Sequence, residues 1–438
     1  MNAAANQPFA RSRVFWRLVA DALLLGLVAG ALTLAFITVV NLGTGLWWPE
    51  DPDYSFLGGE PWWIAVTTGA GALVGLLRVL TRVPAKQFGA LAEIQEARVD
   101  YKTAPQTVLV SAVSLIGGAS LGPFDAAVRS GGAFAEWWSA RRGLNEEMRR
   151  VNTLSGIAGG VGAALTAPFV APILNLELSK LKNVNLFVTL IPNVVSASVG
   201  FAVFYVTVGS SFIDLYDTGP YEFKAWHLAV AIALGAGAAV ITIALGVTVT
   251  AARRLVGLVD LHPAVLAGIG GLLFGLAGVA LPLTLFSGTD QLGDAVEQLA
   301  SLSAGLLIAA LLVKIVTFAV SMATGFIGGP VMPSLFLGGA AGLAIHVLIP
   351  DLPLALTFST MLVAVPGAVA KIPLTLMALA TITVGLGPIT AAPAGFAVLT
   401  AYLLTSGLGL FGTKKQDPDV DGDDHVAFRD GQDTPAKP

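Results

Sequence analysis

Apolar residues run along this chain in long blocks, separated by short polar or Gly/Pro-rich joints. The blocks are Leu18–Val40, Trp62–Leu80, Ala104–Leu121, Val151–Leu176, Val184–Gly209, Leu228–Val249, Val265–Pro282, Leu299–Ala323, Pro333–Pro350, Leu354–Val369 and Ala392–Leu410. A membrane span needs about 20 apolar residues. Several blocks are shorter and interrupted by Gly or Pro. Such interruptions mark re-entrant or discontinuous helices, which survive only where protein or a water-filled cavity satisfies the backbone. The pattern predicts an all-α integral membrane protein built from many tilted and re-entrant helices.

Composition sharpens this. The chain has 438 residues, of which 55% are hydrophobic and 12% charged. Its mean hydropathy is +0.78. An average soluble domain carries roughly twice that share of charge, so lipid is the solvent for most of this surface. The net charge of -4 sits in loops and tails, and no basic patch suggests nucleic acid. The absence of cysteine excludes disulfides and thiolate chemistry. His227, His262, His346 and His425 are scattered, so no metal site is expected. With no nucleophile–base motif and no Gly-x-x-x-x-Gly-Lys loop, neither an enzyme nor a cofactor is expected.

Charges in the joints set an orientation. Arg11, Arg13 and Arg17 precede the first block, which is too long for a cleavable signal. Its far end carries Trp47-Trp48, an interfacial anchor, and then the acidic run Glu50-Asp51-Pro52-Asp53. Arg78, Arg82 and Lys86 follow the second block. Arg253 and Arg254 follow Leu228–Val249, whose other side holds Asp214, Asp217 and Glu222. By the positive-inside rule both termini are cytoplasmic, Lys414 and Lys415 marking the second. The expected organisation is a cytoplasmic segment (1–14), a membrane domain (15–412) and a disordered acidic tail (413–438). Asp417-Pro-Asp419-Val-Asp421-Gly422 in that tail opens like an EF-hand loop, but Phe428 occupies the position that needs a bidentate Glu.

The membrane domain resembles itself, in halves of about 15–209 and 224–412. Gly117-Gly118-Ala-Ser-Leu-Gly122-Pro123-Phe124-Asp125 has a counterpart in Gly325-Phe-Ile-Gly328-Gly329-Pro330-Val331-Met332-Pro333. The small-residue stretch Gly159–Pro168 has one in Val365–Pro373. A single Gly-rich stretch in a membrane helix reads as a packing surface. Matched breaks in two halves point instead to a midplane binding site. Gly lets the backbone turn and approach a ligand, and Pro suits the first helical turn. Each break can therefore place a helix N-terminus inside the membrane. Such a terminus offers unpaired N–H donors and about half a positive charge. Several aimed at one point make a small-anion site without any Lys or Arg.

At these residues the chain resembles the CLC family of chloride channels and chloride/proton antiporters, from about Phe15 to Gly412. Phe88-Gly-Ala-Leu-Ala-Glu93-Ile94 stands where the family has Gly-Ser-Gly-Ile-Pro-Glu-Ile. Gly122-Pro123-Phe124-Asp125-Ala126-Ala127-Val128 stands where it has Gly-(Arg/Lys/Pro)-Glu-Gly-Pro-x-Val. Gly328–Gly338 follows Gly-Gly-(Val/Ile)-Phe-Ala-Pro-x-Leu-x-Leu-Gly. The resemblance implies a CLC-like inverted-repeat bundle, a homodimer with one pore per subunit and a small anion (chloride first) as partner; the compact length without regulatory domains points to a prokaryotic inner membrane. The resemblance also implies an anion site at Gly89, Ala90, Leu91, Gly122, Phe124, Asp125, Ala126, Gly329, Val331 and Met332.

Departures from the family bear on mechanism. Its gating glutamate falls on Phe124, its coordinating serine on Gly89 and its internal proton-relay glutamate on Leu178, while Glu177 matches a neighbouring structural acid. No tyrosine stands where the family's last helix supplies one; Tyr402 comes too early. The resemblance therefore implies uncoupled, channel-like conduction, with Phe124 as a hydrophobic constriction. Asp125 admits two readings. It is either an acid favoured by the helix dipole and directed away from the path, or a displaced carboxylate gate that rescues proton-coupled antiport. Transport of a different, larger anion and a non-conducting assembly role are the remaining alternatives.

Overall fold

The computed structural model describes residues 13–48, 56–83, 89–180, 186–209, 212 and 215–409. The acidic tail, most of the N-terminal segment and Phe88 lie outside them. Among the described residues the first eight helices are α1 (Arg13–Trp47), α2 (Trp63–Leu80), α3 (Ala90–Glu96), α4 (Ala104–Ile116), α5 (Phe124–Arg141), α6 (Glu146–Ala164), α7 (Val170–Leu178) and α8 (Leu186–Val208). The next eight are α9 (His227–Gly257), α10 (Pro263–Ala280), α11 (Thr289–Glu297), α12 (Ala304–Thr324), α13 (Val331–Leu348), α14 (Leu354–Ala370), α15 (Pro373–Thr383) and α16 (Ala392–Thr405). Seven are long and apolar enough to cross a membrane.

Packing repeats with an offset of eight helices. In the first half α1 packs on α8 and α6, α5 on α6, α6 on α8 and α4 on α5. In the second, α9 packs on α16 and α14, α13 on α14, α14 on α16 and α12 on α13. Two pairs join corresponding helices across the halves, α2 with α10 and α7 with α15.

Burial follows from this arrangement. Helices α6, α13 and α14 are enclosed by other helices, and runs such as Val151–Ala164 and Ala355–Ala370 are buried on every side. Outer helices keep one apolar face uncovered, as at Leu23, Leu27 and Leu32 of α1 and Val240 and Val247 of α9. Such faces suit lipid tails. Between helices the packing is backbone-close. A Cβ on Gly131 would run into the Gly156 carbonyl oxygen, and a Cβ on Gly156 into that of Gly131. Small residues at such crossings are what allow membrane helices to touch.

Buried polar groups are tied in. Asp21 of α1 accepts from Trp138 Nε1 and Asn152 Nδ2, each at 3.3 Å, and pairs with Arg142. It thereby joins α1 to α5 and α6. Arg149 and Glu136 pair at 2.7 Å. Glu177 of α7 accepts from the Leu374 and Thr375 amides at 2.9 Å and from the Thr375 hydroxyl at 2.7 Å. A carboxylate at a helix N-terminus satisfies donors that have no partner inside the helix.

Helices α3, α11 and α15 lie outside the apolar blocks, and three further departures have a local cause. The block Val151–Leu176 is two helices, broken over Leu165–Phe169. Thr166 there adopts a left-handed φ of 44°, and its hydroxyl accepts from the Phe212 amide at 3.1 Å. The block Ala104–Leu121 stops being helical at Ile116, because Gly118 turns the chain at φ 81°. Helix α5 belongs to no apolar block, since it carries Asp125, Arg129, Glu136 and Arg141; three of these are buried.

These contacts set an expected outcome for helix packing. Gly131→Val should destabilise the protein by about 3 kcal/mol, through overpacking against backbone. Gly237→Ala, where nothing lies within 4 Å of the new carbon, should stabilise it by up to about 1 kcal/mol. Thermal unfolding in detergent compares the two.

Candidate functional site

The two Gly/Pro breaks meet. Gly122 N–H donates to the Gly329 carbonyl at 3.0 Å, and Gly329 N–H donates back at 2.8 Å. This is an isolated antiparallel bridge between segments some two hundred residues apart in sequence. It sets Pro123 and Pro330, the residues at the mouths of α5 and α13, side by side. Gly is required at the contact: a Cβ on Gly329 would lie 2.9 Å from Phe124 Cβ and 3.3 Å from the Asp125 nitrogen. The amides of Phe124, Asp125 and Ala126 in α5, and of Val331 and Met332 in α13, fall in first turns, where no intrahelical acceptor exists.

Helix α3 completes the group. The Ala90 amide, the first of α3, faces the Asp125 carboxylate. Behind it, Glu93 of α3 pairs with Arg129 of α5 at 3.1 Å, both being buried. Asp125 lies close enough to both to interact electrostatically. Asp125 and Arg129 are four residues apart on one helix, so they share a face. The cluster thus holds two carboxylates against one guanidinium, and Glu93 Oε2 has no hydrogen-bond partner. Gly89 borders open space, with nothing within 4 Å of the point where a Cβ would stand.

All ten residues expected at the site therefore sit in three adjoining segments: Gly89, Ala90 and Leu91 at α3, Gly122, Phe124, Asp125 and Ala126 at α5, and Gly329, Val331 and Met332 at α13. Phe124 is only 2% exposed. Of the two readings of Asp125, the one that directs it away does not describe its surroundings, since its carboxylate faces the first amide of α3. Arg129 is buried beside it, a cation that makes two carboxylates tolerable there.

A cavity of about 530 Å³ leads to this group. Leu121, Pro123 and Met332 line its inner end, and Trp48, Asn41 and Thr44 lie on the side of the α1 terminus. Phe286, Ser287, Thr289, Asp290 and Gln291, from the segment before and into α11, line its wall. Among the described residues lining it, Asp290 is the one that is charged.

Several residues here stand out poorly in the sequence. Glu93 occurs there only as part of a motif, and Arg129 belongs to none, although its i+4 spacing from Asp125 is a usable signal. Lys314, a lone cation inside an apolar block, is another. Tyr216 is a buried hydroxyl near the cavity, but it donates to the Thr289 carbonyl at 3.2 Å; no sequence signal marks it.

The chain belongs to the voltage-gated chloride channel family, whose model matches residues 71–406. It is a multi-pass membrane protein of the CLC-type anion transporters, a class that spans channels and antiporters. Among its relatives is YfeO of Escherichia coli, an ion-transport protein by name alone, 26% identical over 356 residues and covering 80% of this chain and 84% of that protein. YfeO of Salmonella choleraesuis is 27% identical over 359 residues, with coverages of 80% and 85%. Among solved structures, a slow cyanobacterial Cl-/H+ antiporter superposes with a TM-score of 0.78 at 18% identity, covering 90% of this chain and 95% of that one. A CLC-type fluoride/proton antiporter gives 0.74 at 17% identity, covering 89% and 95%. At these identities the likeness establishes the CLC fold.

The charge cluster makes a stability test available. Arg129→Met should cost about 3–5 kcal/mol, because Glu93 and Asp125 are left buried without their counter-ion. Adding Glu93→Gln should restore part of the loss. Unfolding of the two single variants and the double variant in detergent measures the coupling.

Proposed function

We propose that this protein carries a small anion, chloride first, across the bilayer through the convergence of α3, α5 and α13, and that Asp125 is its gate. The observation that carries this reading is the placement of the Asp125 carboxylate against the Ala90 amide at the start of α3. A carboxylate held on a backbone donor occupies the place an anion would take. Protonation would weaken its hold on that donor and release it to the anion. Transport is then linked to protons and rises as pH falls, with Glu93 and Arg129 as the charged groups facing the gate. Uncoupled conduction is the second reading. It draws support from Phe124, whose buried ring at the mouth of α5 would close a path by dewetting.

Chloride-loaded liposomes decide between them, with a chloride electrode, a potassium ionophore and no proton ionophore. The expected result is chloride efflux with opposing proton movement, and loss of the proton movement in Asp125→Asn. If Asp125→Asn leaves flux and pH dependence unchanged, the gate is not Asp125. Efflux without proton movement would instead favour the constriction, and Phe124→Ala should then raise flux on the order of ten-fold. An absence of chloride efflux turns the assay to fluoride, nitrate and bicarbonate, and silence with all four would favour a non-conducting role.

With the N-terminus on the cytoplasmic side, as the positive-inside rule has it, the Trp48 side of the cavity faces outward. The homodimer implied by the family belongs to the same proposal. Because the chain has no cysteine, single-cysteine variants on its exposed apolar faces should give cross-linked dimers in membranes if it holds.

A further inference from the structure

Lys314 lies in α12 with none of its surface exposed. Its Nζ donates to three backbone carbonyls, those of Thr284 at 3.2 Å, Leu285 at 2.9 Å and Phe286 at 2.7 Å. It also stands 5.0 Å from the centre of the Phe336 ring. No carboxylate among the described residues forms an ion pair with it. The geometry suits the charged form. An ammonium has three N–H donors for three acceptors, whereas a neutral amine has two and would turn its lone pair toward the third carbonyl. A ring face is also a site for a cation.

The charge is placed with respect to the cavity. Phe286, whose carbonyl takes the shortest of the three bonds, lines the cavity wall. Phe286 is held at a left-handed φ of 55°. Its amide donates to the Gly118 carbonyl at 3.2 Å, and its ring meets Trp48 edge-on at 5.1 Å. Phe336 is one helical turn from Met332, which lines the inner end. One peptide layer therefore separates the ammonium from the cavity. Among the described residues lining the cavity the one charged side chain is the carboxylate of Asp290, which by itself repels anions.

We propose that Lys314 is the charge that lets this cavity admit anions, by offsetting the field of Asp290 from behind the wall while it fixes Phe286. A charge in a low-dielectric wall raises the local concentration of counter-ions, and one clothed in carbonyls attracts an anion without holding it. This rests on the reading that an anion passes through the cavity. It concerns capture, not gating, so Lys314 is a positioning and electrostatic residue rather than a contact of the ion.

The test is the dependence of flux on chloride concentration in liposomes, for the wild type, Lys314→Met, Asp290→Asn and the double variant. Lys314→Met should raise the half-saturating concentration by about ten-fold, within the range of electrostatic capture, and leave the saturated rate within about two-fold. Asp290→Asn should lower the half-saturating concentration, and the double variant should return toward the wild type. Lys314→Met with an unchanged half-saturating concentration overturns the proposal. So does a fall in the saturated rate alone, which is what a merely structural staple would give. If Lys314→Met does not fold, Asp290→Asn still decides, since an unchanged half-saturating concentration there sinks the offsetting field. A wild type that moves no anion defeats the transport reading itself, which keeps the two failures apart.

Discussion

Two backbone hydrogen bonds between Gly122 and Gly329 govern the interior of this protein. Non-helical backbone at membrane depth is tolerated only if its polar groups find partners. Each break supplies the partner the other lacks, so neither half could hold its break open alone. The pairing places the starts of α5 and α13 together, and the packing of α5 on α6 and of α13 on α14 carries that alignment outward. The Gly at each position is a steric demand of this contact, as the distance from Gly329 to Phe124 Cβ makes plain.

A second constraint is the handling of charge without water. An isolated buried ion is very unfavourable, and each one here has a different solution. Asp21 is surrounded by donors from two other helices. Glu177 uses the start of α15. Lys314 has only carbonyls and a ring. Glu93, Arg129 and Asp125 share one positive charge among two negative ones. Among the described residues that cluster alone leaves a buried carboxylate oxygen, Glu93 Oε2, without a hydrogen-bond partner, and it adjoins the paired breaks.

Much of this was legible in the sequence, for reasons that particular residues make clear. Apolar blocks announced the outer helices because their lipid-facing and inward faces are both apolar, as in α1 and α9. The breaks were legible because Gly-Pro pairs have few other uses inside a membrane. The start of α5 was legible from its Gly-Pro break, but its length was not, because its charges keep it out of every apolar block; only the fold brings Glu93 to Arg129. The division of α6 from α7 was legible at Pro168, which closes the small-residue stretch, although the apolar block runs on to Leu176. The direction of Asp125 was not legible, since it depends on where α3 lies. Lys314 was visible as a residue but not as a site, because its partners are backbone carbonyls, which every residue has.

The Glu177 bonds to α15 bear on how such a molecule can move. They tie the first half to the second at a place distinct from the Gly122–Gly329 bridge, and α2 and α10 join the halves at a third. Three fastenings do not share a hinge. Rigid-body rocking of one half against the other would have to break several of these bonds together. Whatever opens and closes in this protein is therefore small: a rotamer, a ring or a single turn of chain, working inside a frame that stays still.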